Sequence, residues 1–140
     1  MGRILALDYG RKRTGIAVTD NLQLIANGLD TLPTHQLFNF LESYFKKESV
    51  EKVIIGYPVQ MNNKPSESVV YVDSFLKKFR KQFPEVVIET VDERFTSKMA
   101  FQAMIDGGLK KKQRQDKAMV DKISAVIILQ TYLESKQNIF

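Results

Sequence analysis

Three short apolar runs in this chain each end in polar chemistry. Ile4-Leu5-Ala6-Leu7 runs into Asp8-Tyr9-Gly10, and Val53-Ile54-Ile55 into Gly56-Tyr57-Pro58. Val86-Val87-Ile88, continued by Glu89-Thr90-Val91, runs into Asp92-Glu93-Arg94. Short apolar runs bounded by turn signals read as buried strands, parallel ones covered on both faces. Open α/β sheets place ligands beyond the carboxyl ends of their strands. Two of the three ends carry carboxylates, and Asp121 adds another near the start of the last apolar helix. Clustered acids without matching cysteines or histidines suit hard, oxygen-ligated metal ions.

A chain of 140 residues is expected to form one domain over residues 1–140, large enough for its own core. It has no cysteine, which excludes disulfides, thiolate zinc sites and cysteine nucleophiles and fits a cytoplasmic home. His35 is the sole histidine, so a histidine-dependent triad or zinc site has no basis. The four apolar residues after Arg3 are too few for a signal-peptide core or a membrane span. Neither a P-loop nor a G-x-G-x-x-G fingerprint is present. The formal net charge is +5, and its location matters more than its size. Lys110, Lys111, Lys112, Arg114 and Lys117 stand against one acid, Asp116, so most of the excess charge lies in one short segment. Such a loop is either a contact for a phosphate backbone or a solvated surface.

Along the chain, strands are expected at Arg3 to Asp8 and Gly15 to Thr19, joined by a loop holding Gly10, Arg11, Lys12 and Arg13. A weaker third strand lies between Leu24 and Leu32, with a bulge or turn at Asn27-Gly28. Thr34 is a reasonable N-cap for a helix to about Lys47, whose stripe is Leu37, Phe38, Leu41, Tyr44 and Phe45. After the Val53–Ile55 strand, a polar loop from Gln60 to Pro65 leads to a helix from Ser66 to Gln82. Pro84 closes that helix before the next strand. Thr96 caps a short helix stopped by Gly107-Gly108, and a last helix runs from Lys117 to Ser135. The order β-β-β-α-β-α-β-α-α predicts an α/β mixed sheet with helices on both faces.

That arrangement resembles the ribonuclease H-like fold, in which an acid on the first strand faces acids from a later strand and the last helix. Four blocks sharpen the match: Asp8-Tyr9-Gly10-x-x-Arg13-Thr14-Gly15-Ile16-Ala17, Gly56-Tyr57-Pro58, Asp92-Glu93-Arg94-Phe95-Thr96-Ser97, and Met119-Val120-Asp121-Lys122-Ile123-Ser124-Ala125 with Ile128-Leu129-Gln130 after it. Together they resemble the YqgF family, whose members are described as pre-16S ribosomal RNA nucleases or Holliday junction resolvases. The blocks stand in the family's order and span nearly the whole chain. One departure is Asn62-Asn63, where the family usually has a glycine. Asn tolerates left-handed backbone better than most residues.

The resemblance implies a divalent-metal-dependent nuclease in which Asp8, Glu93 and Asp121 are catalytic and hold Mg²⁺ or Mn²⁺. Spacing alone leaves Asp92 and Glu93 as alternatives, because neighbours on a strand point to opposite faces. Ser124 and Ala125 share the helical face of Asp121, and small residues there would let the helix approach the sheet. Gly10 removes a side chain beside the place a phosphate would approach. Arg11, Arg13, Arg94, Lys110, Lys111, Lys112 and Arg114 are the candidate nucleic-acid contacts, with solvated surface charge as the alternative. Tyr9 and Tyr57 could stack on a base, although aromatics at strand ends more often pack. The implied partner is structured RNA, an rRNA precursor, with ribosomal particles in reach. Branched DNA, as in junction resolution, is the second substrate, and a non-catalytic RNA-binding assembly module is the third reading. A monomer or a homodimer is compatible with the first, whereas a resolvase favours a dimer.

Overall fold

The computed structural model describes residues 2–58, 67–92 and 117–137. Five strands form one sheet: β1 (Arg3–Tyr9), β2 (Arg13–Thr19), β3 (Ala26–Pro33), β4 (Val50–Tyr57) and β5 (Val87–Asp92). Three helices accompany them: α1 (Leu37–Lys47), α2 (Glu67–Gln82) and α3 (Lys117–Gln137). The spatial order is β3-β2-β1-β4-β5. β1 is antiparallel to β2, which is antiparallel to β3, whereas β4 is parallel to both β1 and β5. The three apolar runs therefore do form the parallel part of a mixed sheet. The loop 59–66, the helix expected after Thr96, the Asn62-Asn63 departure and the basic segment 110–116 lie outside the described residues.

Strand alternation splits the core into two layers. Leu5, Leu7, Ile16, Val18, Val53, Ile55 and Ile88 face α1 and α2. Ile4, Ala6, Ala17 and Ile54 face Ala125, Ile128 and Leu129 of α3. On the first side Leu37 and Leu41 of α1 and Phe79 of α2 are fully buried. Each such side chain contributes about 1.5–3 kcal/mol relative to an exposed one. Lys46 and Lys47 occupy the last turn of α1, where cations complement the helix dipole.

Three expectations needed correction. β5 is not covered on both faces: it is an edge strand in which only Ile88 is buried, and Val87 is 51% exposed. The cause is that α3 lies chiefly over β1, β2 and β3. Thr34 does not cap α1. It opens a single 3-10 turn, Thr34–Gln36, and Gln36 precedes the helix without a side-chain cap. The Thr34 hydroxyl is engaged elsewhere, donating to the Gly10 carbonyl and lying 2.9 Å from the Thr14 hydroxyl. The irregularity in β3 falls just after Gly28: Ile16 pairs with Asp30 and Ala17 with Gly28, which leaves Leu29 as the extra residue.

Candidate active site

Asp8 sits at the carboxyl end of β1. Ile4 and Ala6 belong to the α3 side of the sheet, so alternation places Asp8 on that side too. Its cross-strand partner in β2 is Gly15. A Cβ on Gly15 would collide with the backbone carbonyl of Asp121. No side chain fits between these two backbones. The missing side chain brings the first turns of α3 directly onto the residue paired with Asp8. Ser124 and Ala125 are buried one turn further on, as expected of small residues at this approach.

The Asp121 side chain is anchored from β2. The Arg13 guanidinium donates through Nε to Asp121 Oδ2 at 2.9 Å. Arg13 and Gly15 alternate on one face of β2, so one strand supplies both the close approach and the ionic tie. The pair is partly buried, with 39% of the Arg13 and 23% of the Asp121 side chain exposed.

Asp92 goes to the other face. Ile88 packs with the α1–α2 layer and Val91 with the α3 layer, which puts Asp92 on the side of Ile88, away from Asp8. Glu93, Arg94, Lys110, Lys111, Lys112 and Arg114 lie outside the described residues.

Tyr9 and Tyr57 are packing residues. Both sit against the α1–α2 core. The Tyr9 ring lies 4.7 Å from that of Phe75, and burial pushes its phenol pKa up. Tyr57 donates to Asp73 Oδ1 at 3.0 Å; burial first, then this bond, raises its phenol as well. Gly10 serves the hairpin loop: a Cβ there would meet the Arg13 carbonyl oxygen at 2.6 Å. His35 is exposed in the 3-10 turn. Arg11 is exposed and lies over the ring of Tyr71 in α2, 4.4 Å from its centroid.

The donor chemistry fits a hard divalent cation. Asp8 and Asp121 are carboxylates, the donor type such an ion takes, and Gly15 pairs with Asp8 and abuts the backbone of Asp121. Among the described residues no three acids or histidines gather, so a third protein ligand would come from elsewhere in the chain. A cleft of about 510 Å³ lined by Phe45, Val50, Phe83 and Pro84 lies at the amino ends of β4 and β5, the opposite end from Asp8.

Gly15 and Tyr71 are the residues that sequence reasoning did not single out. Gly15 stood in the first block, and a glycine inside an otherwise apolar strand signals close backbone approach. Tyr71 carried no such signal.

The chain is 62% identical over 139 residues, covering 99% of it and the whole of the relative, to a protein of Phocaeicola vulgatus named "Putative pre-16S rRNA nuclease". A protein of Christiangramia forsetii with the same name is 65% identical over 133 residues, covering 95% of this chain and 98% of the relative. Among solved structures, Thermus thermophilus RuvC in complex with a Holliday junction substrate is similar with a TM-score of 0.59. Identity is 15%, and 98% of this chain and 96% of that chain are covered. At that identity the likeness speaks for the fold, which is ribonuclease H-like as expected. Residues 2–135 match the family model described as RuvX: Holliday junction resolvase, and the chain therefore belongs to the RuvX family, the YqgF family of the sequence motifs.

Proposed function

We propose that this chain is a divalent-metal-dependent nuclease that hydrolyses phosphodiester bonds of the 16S rRNA precursor during ribosome biogenesis, as one cytoplasmic domain. The observation that carries the reading is the junction of Asp8 and Asp121 through Gly15, joined to the names of the relatives. Glu93 is the third ligand in this reading, because Asp92 belongs to the face away from Asp8. No helix among the described residues is long and apolar enough to cross a membrane.

Mg²⁺ or Mn²⁺ held by Asp8, Glu93 and Asp121 would activate water and stabilise the leaving oxygen of an in-line displacement. The chain's own residues fix the geometry: β1 holds Asp8, and Arg13 holds one oxygen of Asp121. Arg13 retains further N–H donors that can face a phosphate. Arg11, Arg94, Lys110, Lys111, Lys112 and Arg114 offset the repulsion between the acids and the substrate backbone.

The test is incubation of the protein with a labelled rRNA precursor and with a four-way DNA junction, each with Mn²⁺ and with chelator. Cleavage of the precursor with Mn²⁺ is expected, lost with chelator and in Asp8→Asn. Undiminished activity of Asp8→Asn rejects the assignment. A second reading, junction resolution, is favoured by the description of the family. Symmetrical cutting of the DNA junction by a stable dimer, with the precursor left intact, would replace the RNA reading.

A further inference from the structure

The short basic loop between β1 and β2 divides at the end of the sheet. Arg13 turns to α3 and binds Asp121. Arg11 turns to the opposite layer and lies over Tyr71. Between them Lys12 is exposed, its carbonyl accepting from the Thr34 N–H. The loop thus bridges both layers above the carboxyl end of β1, three residues beyond Asp8.

Tyr71 belongs to the half of α2 nearest this end. It lies one turn before Phe75, against which Tyr9 packs. It is 36% exposed, and its neighbour Val70 is 64% exposed. Asp73, two residues further along the helix, accepts from the Tyr57 hydroxyl. A guanidinium placed over an aromatic ring is attracted by the ring's quadrupole, and arginine's planar group can stack on such a face. Arg11 itself is exposed.

We propose that Arg11, backed by Tyr71, is a stacking shelf for an unpaired base of the substrate strand. It would lie beside the cleavage site on the α2 side. RNA recognition uses unstacked bases laid on aromatic rings or on arginine planes. The positive charge suits the adjoining phosphate, whereas a stacked base requires a single-stranded segment. Lysine could supply the charge but not the plane. The inference rests on the nuclease reading for its substrate, an rRNA precursor with an unpaired end.

The experiment measures binding in chelator, without cleavage, of a short single-stranded RNA and of a duplex of equal length. Fluorescence anisotropy is read for the full chain, with thermal melting as the folding control. Arg11→Lys and Tyr71→Ala should each weaken single-strand binding about tenfold and change duplex binding less than about twofold. Tyr71→Phe, which keeps the ring, should retain the single-strand affinity. An abasic strand should abolish the difference between the wild type and the variants. Wild-type affinity in Arg11→Lys, or equal losses on both RNAs, overturns the shelf and leaves a simple charge contact. The nuclease reading fails separately: it falls if no Mn²⁺-dependent cleavage occurs, even where the single-strand-selective losses are found.

Discussion

Arg13 Nε stands 2.9 Å from Asp121 Oδ2 and ties the start of β2 to the first turns of the last helix. The contact fixes an acid that arrives from the far end of the chain. A double-mutant cycle measures it directly. Arg13→Gln and Asp121→Asn should each lower stability, with a coupling of about 0.5–1 kcal/mol for this partly exposed pair. Purely additive losses in denaturant titrations would mean that the contact is incidental.

Gly15 admits the same helix. In Gly15→Ala the new methyl group meets backbone, not a flexible side-chain end, so α3 must shift. The expected cost is about 1–3 kcal/mol in urea unfolding, with Mn²⁺-dependent cleavage lost alongside. A variant as stable and active as the wild type would contradict the close packing.

Asp20 governs the turn after β2. Its carboxylate accepts N–H bonds from Ile25 at 2.9 Å, Leu24 at 2.8 Å and Leu22 at 3.2 Å. These bonds, that of Ile25 foremost, hold its pKa below the ordinary value of 3.8. A carboxylate with a depressed pKa stabilises the fold above its unfolded value, and that gain is lost as pH falls through the depressed one. Asp20→Asn should therefore be less stable than the wild type at neutral pH, and the gap should narrow below pH 3.8. A gap that stays constant across this range counts against the carboxylate's role.

The basic segment is expected to act through charge alone. Replacing Lys110, Lys111 and Lys112 by Gln should weaken binding of single-stranded RNA and reduce the slope of log K against log salt by about 2. An unchanged slope would leave the segment a solvated surface.

The sequence motifs read most clearly where backbone pairing follows apolar runs. β1, β4 and β5 were visible in Ile4–Leu7, Val53–Ile55 and Val86–Val91, though β1, β4 and β5 also take in Tyr9, Tyr57 and Asp92. Ladder hydrogen bonds need no apolar side chain, so strand ends outrun the apolar signal. The choice between Asp92 and Glu93 was open because the face of β5 depends on whether Ile88 or Val91 meets α1 and α2, a fact of packing. Thr34 looked like a cap because capping is local, yet its hydroxyl is taken by Gly10, distant in sequence. The pairing of Arg11 with Tyr71 was hidden for the same reason: nothing near either residue names its partner.

Mn²⁺ binding tests directly, without reference to any substrate, whether Asp8, Glu93 and Asp121 form one cation site. Calorimetric titration of the wild type, Asp8→Asn, Glu93→Gln and Asp121→Asn should show a saturable site in the wild type. Each substitution should weaken that site by at least about tenfold. Wild-type affinity in any one of the three variants, with the fold intact by circular dichroism, would contradict the shared site.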